Sequence, residues 1–364
     1  MLLLGAPAAN SGTISGMRLV LVTSALVAAL LAVPLAGTAD PEKRASAGDI
    51  GQRIVTGMAG RRPSAALLRR IAHGEVGGVI LFGWNVGSPE QARSAIGTLQ
   101  RAARRGSRPP LLIMTDQEGG SVRRFRSLPP ALSARRMGAD PALARREGGR
   151  TGRALRALGV NVDLAPVADV PRLAPHFLGS RAFGRHVEQV TAGATAFASG
   201  LASAGVAATA KHFPGLGHAG SNTDLSRVRI TSSRSALRAD YGPFEALIQG
   251  GIPLVMVSNA AYDALDPSGR PACMSRPIVE GELRDVAGFG GVTISDALGS
   301  PAVTRVRGRY VAVANAGVDM LLFGTERASA TAYKRLVSAG LHRILDPDRN
   351  SAAAERIRAM KQRF

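Results

Sequence analysis

Acidic, basic and imidazole side chains stand where several apolar runs of the sequence end. Asp116 and Glu118 come directly after one run, Lys211 and His212 close a second, and Asp296 follows a third. Burying a lysine is costly without an anionic or hydroxyl-bearing partner, so Lys211 indicates a carboxylate neighbour or a hydroxylated ligand. Together these groups predict a polar pocket.

Each of these side chains also has a purely structural interpretation. Glu118 could pair with a neighbouring arginine, and His212 could be a hydrogen-bonded interior histidine. Asp169, which follows another run and precedes Pro171, is expected to bond to nearby backbone in a turn. Five runs end in such polar groups, and this recurrence favours one shared pocket.

The runs themselves recur eight times and alternate with segments of helical periodicity. The predicted strands are Ile54–Met58, Gly78–Phe82, Leu111–Thr115, Val160–Ala165, Ala207–Lys211, Pro253–Ser258, Gly291–Ser295 and Val318–Phe323. The predicted helices are Ala65–His73, Pro89–Arg105, Pro141–Leu158, Val187–Ala204, Ser235–Gln249, Pro277–Arg284 and Val303–Ala316. Nearly continuous apolar strands are typical of parallel sheets covered on both faces. We therefore predict an α/β fold, a (β/α)8 TIM-like barrel with its active site at the carboxyl ends of the strands.

A single catalytic domain accounts for most of the chain. No change of composition divides residues 51–347, which we assign to the barrel. Residues 40–50 are predicted to be a polar, Ala/Gly-rich linker, and residues 348–364 a C-terminal helix. The chain is 45% hydrophobic, which is enough to bury a sizeable core.

The N-terminal residues 1–39 have the pattern of a targeting segment. A basic residue precedes an apolar stretch at 19–35, and small residues follow it. This pattern predicts a secretory signal peptide, and the length of the stretch leaves an N-terminal membrane anchor open. Translation could start at Met1 or at Met17. In each case we expect an exported protein in the extracellular space, the cell wall or the outer face of the cytoplasmic membrane.

The composition indicates anionic surroundings and excludes several kinds of site. The net charge is +20, from 46 basic and 26 acidic residues, which suits association with an anionic cell wall. The arginines are scattered, aromatic residues are 4% of the chain, and no nucleic-acid motif is present, so we expect no specific nucleic acid. The lone Cys273 excludes an intrachain disulfide and a cysteine zinc site. No phosphate loop, dinucleotide fingerprint or metal-ligand cluster occurs, and we expect no cofactor.

Six motifs in order along the chain resemble glycoside hydrolase family 3, in particular its single-domain bacterial β-N-acetylglucosaminidases. The motifs are Gly77–Phe82, Asp116–Gly120 with Arg124, Leu164–Val170, Arg181–Gly184, Lys211–Gly215 and Gly291–Asp296. The resemblance covers about residues 50–325 and implies one barrel domain without an appended second domain. It implies that Asp296 is the catalytic nucleophile. It also implies that a set of polar residues holds the N-acetyl sugar: Asp116, Arg124, Arg181, Lys211 and His212.

A retaining glycosidase needs an ionised carboxylate beside a proton donor, so that the carboxylate can attack the anomeric carbon. We expect nearby cations such as Lys211 or Arg181 to favour the ionised form of Asp296. The competing structural interpretation is that Asp296, which precedes Ala297, caps the N-terminus of a helix.

The acid/base position departs from the family pattern. Related enzymes carry an Asp-Ser-His sequence in the loop after the Lys-His-Phe-Pro-Gly motif, and this chain has Asn222-Thr223-Asp224 there. Asp224 is the first candidate, because a carboxylic acid with a raised pKa can donate a proton to a leaving oxygen. His218 in the same loop is the second, although a loop histidine is more often solvent-exposed. The third option is that the group is absent.

The favoured hypothesis is an exported, retaining exo-β-glycosidase, most simply a β-N-acetylhexosaminidase that removes terminal N-acetylglucosamine from peptidoglycan-derived or related glycans. A non-catalytic or weakly active envelope protein that binds amino sugars in the same pocket is the alternative. Transfer to phosphate instead of water also stays open. The oligomeric state cannot be derived from these patterns.

Overall fold

The fold is described by a computed structural model that covers residues 45–364. Twelve strands occur along this part of the chain: eight alternate with helices, and four short ones lie in the loops, at Gln117–Gly119, Val122–Arg123, Arg229–Ile230 and Ala261–Tyr262. The eight strands are Ile54–Gly57 (β1), Gly78–Leu81 (β2), Leu112–Thr115 (β3), Val162–Asp163 (β4), Thr209–Phe213 (β5), Leu254–Val257 (β6), Val292–Ser295 (β7) and Leu321–Phe323 (β8). Each overlaps one of the eight predicted runs.

All pairings between these strands are parallel. One sheet has the order β8-β1-β2-β3-β4 and a second the order β5-β6-β7. Isolated parallel bridges occur at both junctions between the sheets, Val162 with Ala207 and Ile294 with Met320. Each strand therefore neighbours the next one in the chain, and β8 returns to β1. This is the strand order of a (β/α)8 fold, and the predicted α/β architecture is confirmed.

Helices follow the strands. Their bounds are Ala65–Ala72, Pro89–Arg105, Pro141–Leu158, Val187–Ser203, Arg234–Arg238, Gly242–Gln249, Pro277–Val286, Pro301–Thr304, Arg309–Asn315 and Glu326–Leu341, with Ala134–Met137 as a short addition. Several begin at a side-chain cap: Ser64 accepts the Leu67 amide and Ser88 accepts the Gln91 amide. Such caps satisfy amides that have no partner within the helix.

Two predicted helices are broken in the structure. The one predicted at 235–249 stops at Arg238 and resumes at Gly242, next to Pro243. Proline lacks an amide hydrogen and disfavours helical backbone in the residue before it. The one predicted at 303–316 is interrupted around Gly308, whose φ of 66° is left-handed.

The end of the predicted linker is also helical. Ala47–Gln52 forms a short helix, and its Ile50 is fully buried in the core, so the linker expected at 40–50 does not extend to its last four residues. The apolar stretch at 19–35 lies outside the described residues. Within residues 45–364, no helix has both the length and the apolar character that crossing a membrane requires.

A C-terminal helix, Pro347–Arg363, closes the amino-terminal end of the barrel. Its Ile357 and Met360 join the apolar cluster inside the ring, which includes Val55 of β1 and Ile294 of β7. Beside it, the buried carboxylate of Asp319 binds two arginines, Arg284 at 2.8 Å and Arg356 at 2.7 Å. The C-terminal helix and these ion pairs pack this end, and a polar cavity lies at the opposite, carboxyl end.

Candidate active site

A cavity of about 310 Å³ lies at the carboxyl ends of the strands. Its volume is within the range of small-molecule sites. All seven site residues predicted from the sequence line it: Asp116, Arg124, Arg181, Lys211, His212, Asp224 and Asp296. Residues separated by up to 180 positions thus meet because parallel strands bring their carboxyl ends to the same rim.

Lys211 forms the floor of this cavity. Its side chain is 2% exposed, and its Nζ lies 2.9 Å from Asp116 Oδ1 and 2.6 Å from Glu118 Oε1. Two carboxylates therefore compensate the cost of burying the ammonium group. Burial alone would lower the pKa of Lys211, but the two carboxylates outweigh it and raise that pKa.

Two arginines complete the charged floor of the cavity. Arg181 donates two hydrogen bonds to Glu118, at 2.8 and 2.9 Å, and Arg124 donates one to Asp116 at 3.3 Å. The predicted pairing of Glu118 with an arginine is confirmed. Burial would raise the pKa of Glu118, but Lys211 and Arg181 lower it to about 2. Burial would likewise raise the pKa of Asp116, but Lys211 and Arg124 outweigh it and lower that pKa.

His212 is oriented by a buried carboxylate. Its Nδ1 lies 2.8 Å from Asp169 Oδ2, while Asp169 Oδ1 accepts the backbone amides of His212 at 3.1 Å and Leu216 at 2.7 Å. This leaves Nε2 as the ring nitrogen available to a ligand. The turn role expected for Asp169 is wrong in one respect: its backbone partners lie 43 and 47 residues away, and it positions His212 as well.

A local irregularity brings Lys211 and His212 to the same cavity. Side chains that are consecutive in a regular strand point to opposite faces. The pairing of β5 with β6 shifts register between Lys211 and Phe213, and such a bulge redirects side chains, often beside active sites.

Asp296 stands just beyond the end of β7 and is partly accessible from the cavity. Its amide donates to Val257 O at 2.9 Å, and its Oδ1 accepts the Ala297 amide at 2.7 Å. The next helix begins only at Pro301 with Ser300 as its cap residue, so the helix-cap interpretation of Asp296 is wrong.

The pKa of Asp296 is raised above its usual value. Burial is the main cause and the carboxylate of Asp224 adds to it, while His212 and Lys211 oppose it. Of the cations expected to favour the ionised form, Lys211 does lower the pKa of Asp296. It is already shared by two other carboxylates, however, and burial outweighs its effect.

Asp224 belongs to the loop between β5 and the next helix. The residue is exposed and lines the cavity, and its backbone amide donates to Asn222 Oδ1 at 2.9 Å. This short turn fixes the backbone of Asp224. Because Asp224 affects the pKa of Asp296, the two carboxylates lie within electrostatic reach of each other.

His218 occupies a different place from the one that an acid/base requires. Its Nε2 lies 3.1 Å from Asp240 Oδ2 and its Nδ1 3.0 Å from Ser232 Oγ, and it is not among the residues that line the cavity. Arg172 binds the same Asp240 through Nε at 3.0 Å. His218 is therefore neither a solvated loop residue nor a group directed at the cavity.

The sequence analysis missed one class of lining residue. Phe82 and Phe177 contribute aromatic faces to the cavity wall. Phe82 ends the first of the six motifs, but nothing in its sequence context distinguishes a core phenylalanine from a cavity wall, since both follow an apolar strand.

Comparisons with known proteins agree with this geometry. The family model described as the glycosyl hydrolase family 3 N terminal domain matches residues 44–359. A protein from Arthroderma benhamiae described as a secreted glycosyl hydrolase is 36% identical over 328 residues, which are 86% of this chain and 92% of that one. A β-hexosaminidase from Alkalilimnicola ehrlichii is 37% identical over 308 residues, which are 81% of this chain and 85% of that one.

Solved structures show the same fold. A family 3 β-N-acetylglucosaminidase from Paenibacillus superposes with a TM-score of 0.84 at 31% identity, over 87% of this chain and 62% of the Paenibacillus chain. A β-N-acetylhexosaminidase from Beutenbergia cavernae superposes with a TM-score of 0.78 at 31% identity, over 87% of this chain and 98% of that one. The ordered motifs, the strand order and the extent of these matches converge: the chain belongs to glycosyl hydrolase family 3.

Proposed function

We propose that this protein is a retaining exo-β-N-acetylhexosaminidase that hydrolyses terminal β-linked N-acetylglucosamine. The observation that carries the proposal is that the carboxylates of Asp296 and Asp224 line one cavity together with the Lys211–His212 pair. The names of the β-hexosaminidase and β-N-acetylglucosaminidase relatives support the same substrate class.

The charged floor of the cavity suits a sugar with many hydroxyl groups. Lys211, Arg124 and Arg181 are cationic donors, and Asp116 is an ionised acceptor held by two of them. Hydrogen bonds to charged groups are stronger than neutral ones. We assign these residues, together with His212, to binding the terminal sugar, with their bonds tightening as positive charge develops on its ring.

The two carboxylates then divide the chemistry. In the first step an oxygen of Asp296 attacks C1, the bond from C1 to the leaving oxygen breaks, and Asp224 gives its proton to that oxygen. In the second step Asp224 takes a proton from water, the water oxygen attacks C1, and the bond to Asp296 breaks. Two inversions at C1 give net retention, and the enzyme returns to its starting state.

Asp224 is preferred to His218 as the acid/base. Both ring nitrogens of His218 have partners in Asp240 and Ser232, whereas Asp224 lines the cavity. For His218 to take the role, its loop would have to break both contacts.

Export and a wall-derived substrate belong to the same proposal. The net charge of +20 favours an anionic wall, and the N-terminal pattern of the sequence favours export. The relative from Arthroderma benhamiae is described as secreted. We propose peptidoglycan-derived glycans as the substrate class and association with the wall as the location.

The proposal is tested with the purified protein and 4-nitrophenyl β-N-acetylglucosaminide. We expect turnover, β-N-acetylglucosamine as the first anomer seen by NMR, and a loss of at least about 10³-fold in Asp296→Asn, because the nucleophile is removed. Identical rates in phosphate and phosphate-free buffer, with no sugar phosphate formed, are expected of a hydrolase. Saturable binding of N-acetylglucosamine without turnover would instead establish the non-catalytic alternative.

A further inference from the structure

Trp84 is the one tryptophan of the chain, and it follows two residues after Phe82, which lines the cavity. It lies in the short helical turn Gly83–Asn85 directly after β2, on the carboxyl side of the barrel. Its side chain is 59% exposed. A single exposed apolar residue needs no explanation by itself, so the argument depends on how Trp84 is held and what it touches.

The segment that carries Trp84 is fixed by a buried asparagine. Asn85 Nδ2 donates to Met58 O at 2.8 Å and to Gly60 O at 2.7 Å, and Asn85 Oδ1 accepts the Phe82 amide at 2.8 Å. The indole Nε1 of Trp84 also donates to Met58 O at 3.4 Å. The ring is therefore presented to solvent in a defined orientation, and a ligand that used it would lose little of its affinity to ordering it.

The indole continues the wall of the cavity outward. Trp84 stacks on Phe82, with ring centroids 4.5 Å apart and an angle of 18° between the planes. Phe82 itself lines the cavity. One aromatic surface thus runs from the cavity wall, next to the charged floor, to the exposed face of Trp84.

We propose that Trp84 is the platform for the sugar on the leaving-group side of the bond that is cleaved. This assignment rests on the proposed function: the terminal sugar fills the charged cavity, and the next ring must lie outside it, at the rim. The C–H groups on one face of a pyranose are attracted to the negative face of an indole ring. The occupant is therefore a second pyranose of a β-linked disaccharide or longer glycan.

Fluorescence tests this subsite without turnover, because Trp84 is the only tryptophan. In Asp296→Asn, which cannot cleave substrate, the β-1,4-linked disaccharide of N-acetylglucosamine is expected to change the Trp84 emission saturably. N-acetylglucosamine alone, at a concentration that fills the cavity, is expected to leave it nearly unchanged. An equal response to both sugars, or no response to the disaccharide, overturns the assignment.

Kinetics give the second test. Trp84→Ala is expected to raise KM for the disaccharide about tenfold and to leave kcat/KM for methyl β-N-acetylglucosaminide within about twofold, because methanol has no ring to stack. Trp84→Phe is expected to keep most of the disaccharide activity. Leu341→Ala, at a residue that is 57% exposed at the end of Glu326–Leu341, is the matched control.

These outcomes separate the two proposals. If the methyl glycoside is hydrolysed and Trp84→Ala changes kcat/KM equally for the methyl glycoside and the disaccharide, the subsite is refuted and the proposed function stands. If wild-type protein hydrolyses neither substrate, the proposed function fails, and the fluorescence titration alone decides whether Trp84 binds the second sugar.

Discussion

The carboxyl groups of the cavity experience two different environments. Asp116 and Glu118 share three cations, Lys211, Arg124 and Arg181, so their pKa values are lowered and they stay ionised. Asp296 is governed by burial, and its pKa is raised. Environment, more than residue type, therefore separates the two lowered pKa values from the raised one.

A pH profile follows from the raised pKa of Asp296. Below that pKa the carboxyl is protonated and cannot attack C1, so kcat/KM falls as the pH falls through it. We expect this acidic limb above the ordinary aspartate pKa of about 3.9. The measured dependence of kcat/KM on pH checks this expectation. An acidic limb at or below the ordinary aspartate pKa would contradict a raised pKa of Asp296.

The acid/base role proposed for Asp224 predicts a dependence on the leaving group. Asp224→Ala is expected to lower kcat/KM about 10²–10⁴-fold for the disaccharide and far less for 4-nitrophenyl or dinitrophenyl glycosides, whose leaving groups need no proton. Azide, which needs no general base, is expected to restore turnover of the activated substrates and to yield the β-glycosyl azide. Equal losses on both substrate classes would remove Asp224 from this role.

At the scale of elements, a short network joins the loops after β4 and β5. Asp240 binds Arg172 from the loop after β4 and His218 from the loop after β5, and His218 also contacts Ser232. Through His218, the loop that carries Asp224 is therefore hydrogen-bonded to Asp240, which lies two residues before the helix Gly242–Gln249. Such contacts act on catalysis through geometry rather than chemistry.

Loss of the hydrogen bonds made by His218 is expected to lower activity equally for all leaving groups. His218→Ala is expected to lower kcat/KM by about tenfold, because misplacing a catalytic group by a fraction of an ångström is costly. Since His218 is a positioning residue, the loss is expected to be the same for good and poor leaving groups. His218→Asn, which retains one donor for Asp240, is expected to recover part of the rate. A selective loss on poor leaving groups would instead identify His218 as the acid.

At the scale of the whole molecule, stability and chemistry occupy opposite ends of the barrel. The helix Pro347–Arg363 packs Ile357 and Met360 into the ring at its amino-terminal end, and the arginines around Asp319 reinforce that end. The carboxyl end carries the cavity. Because apolar packing stabilises one end, the other end can hold buried charges that are partly unfavourable.

This division predicts that stability and activity can be changed separately. Ile357→Ala is expected to lower the free energy of unfolding by about 2–5 kcal/mol, because a fully buried side chain is replaced by a cavity, as measured by urea denaturation. The kcat of the folded enzyme is expected to stay the same. Glu355→Ala, at an exposed position of the same helix, should change the free energy of unfolding by less than about 0.5 kcal/mol. A parallel fall in kcat would show that the two ends are coupled.

Much of this protein can be derived from its sequence, because the relevant signals are local. Each strand is covered on both faces and so forms a short apolar run, and each predicted site residue ends such a run, follows it directly or lies in the loop beyond it. The ends of parallel strands meet at one rim whatever the details of packing. For this reason the (β/α)8 fold and the lining residues Asp116, Lys211, His212 and Asp296 could be predicted before any coordinates. The resemblance to the family motifs added Arg124, Arg181 and Asp224.

Contacts between distant residues required the tertiary structure. Only the fold shows that Asp169 orients His212 across 43 positions, that Asp240 and Ser232 hold His218 outside the cavity, and that Trp84 extends the wall formed by Phe82. The tertiary structure also decides that the pKa of Asp296 is raised and not lowered. A sequence lists which charges are present, but burial and the sharing of Lys211 among carboxylates depend on three-dimensional distances, and these determine which effect dominates.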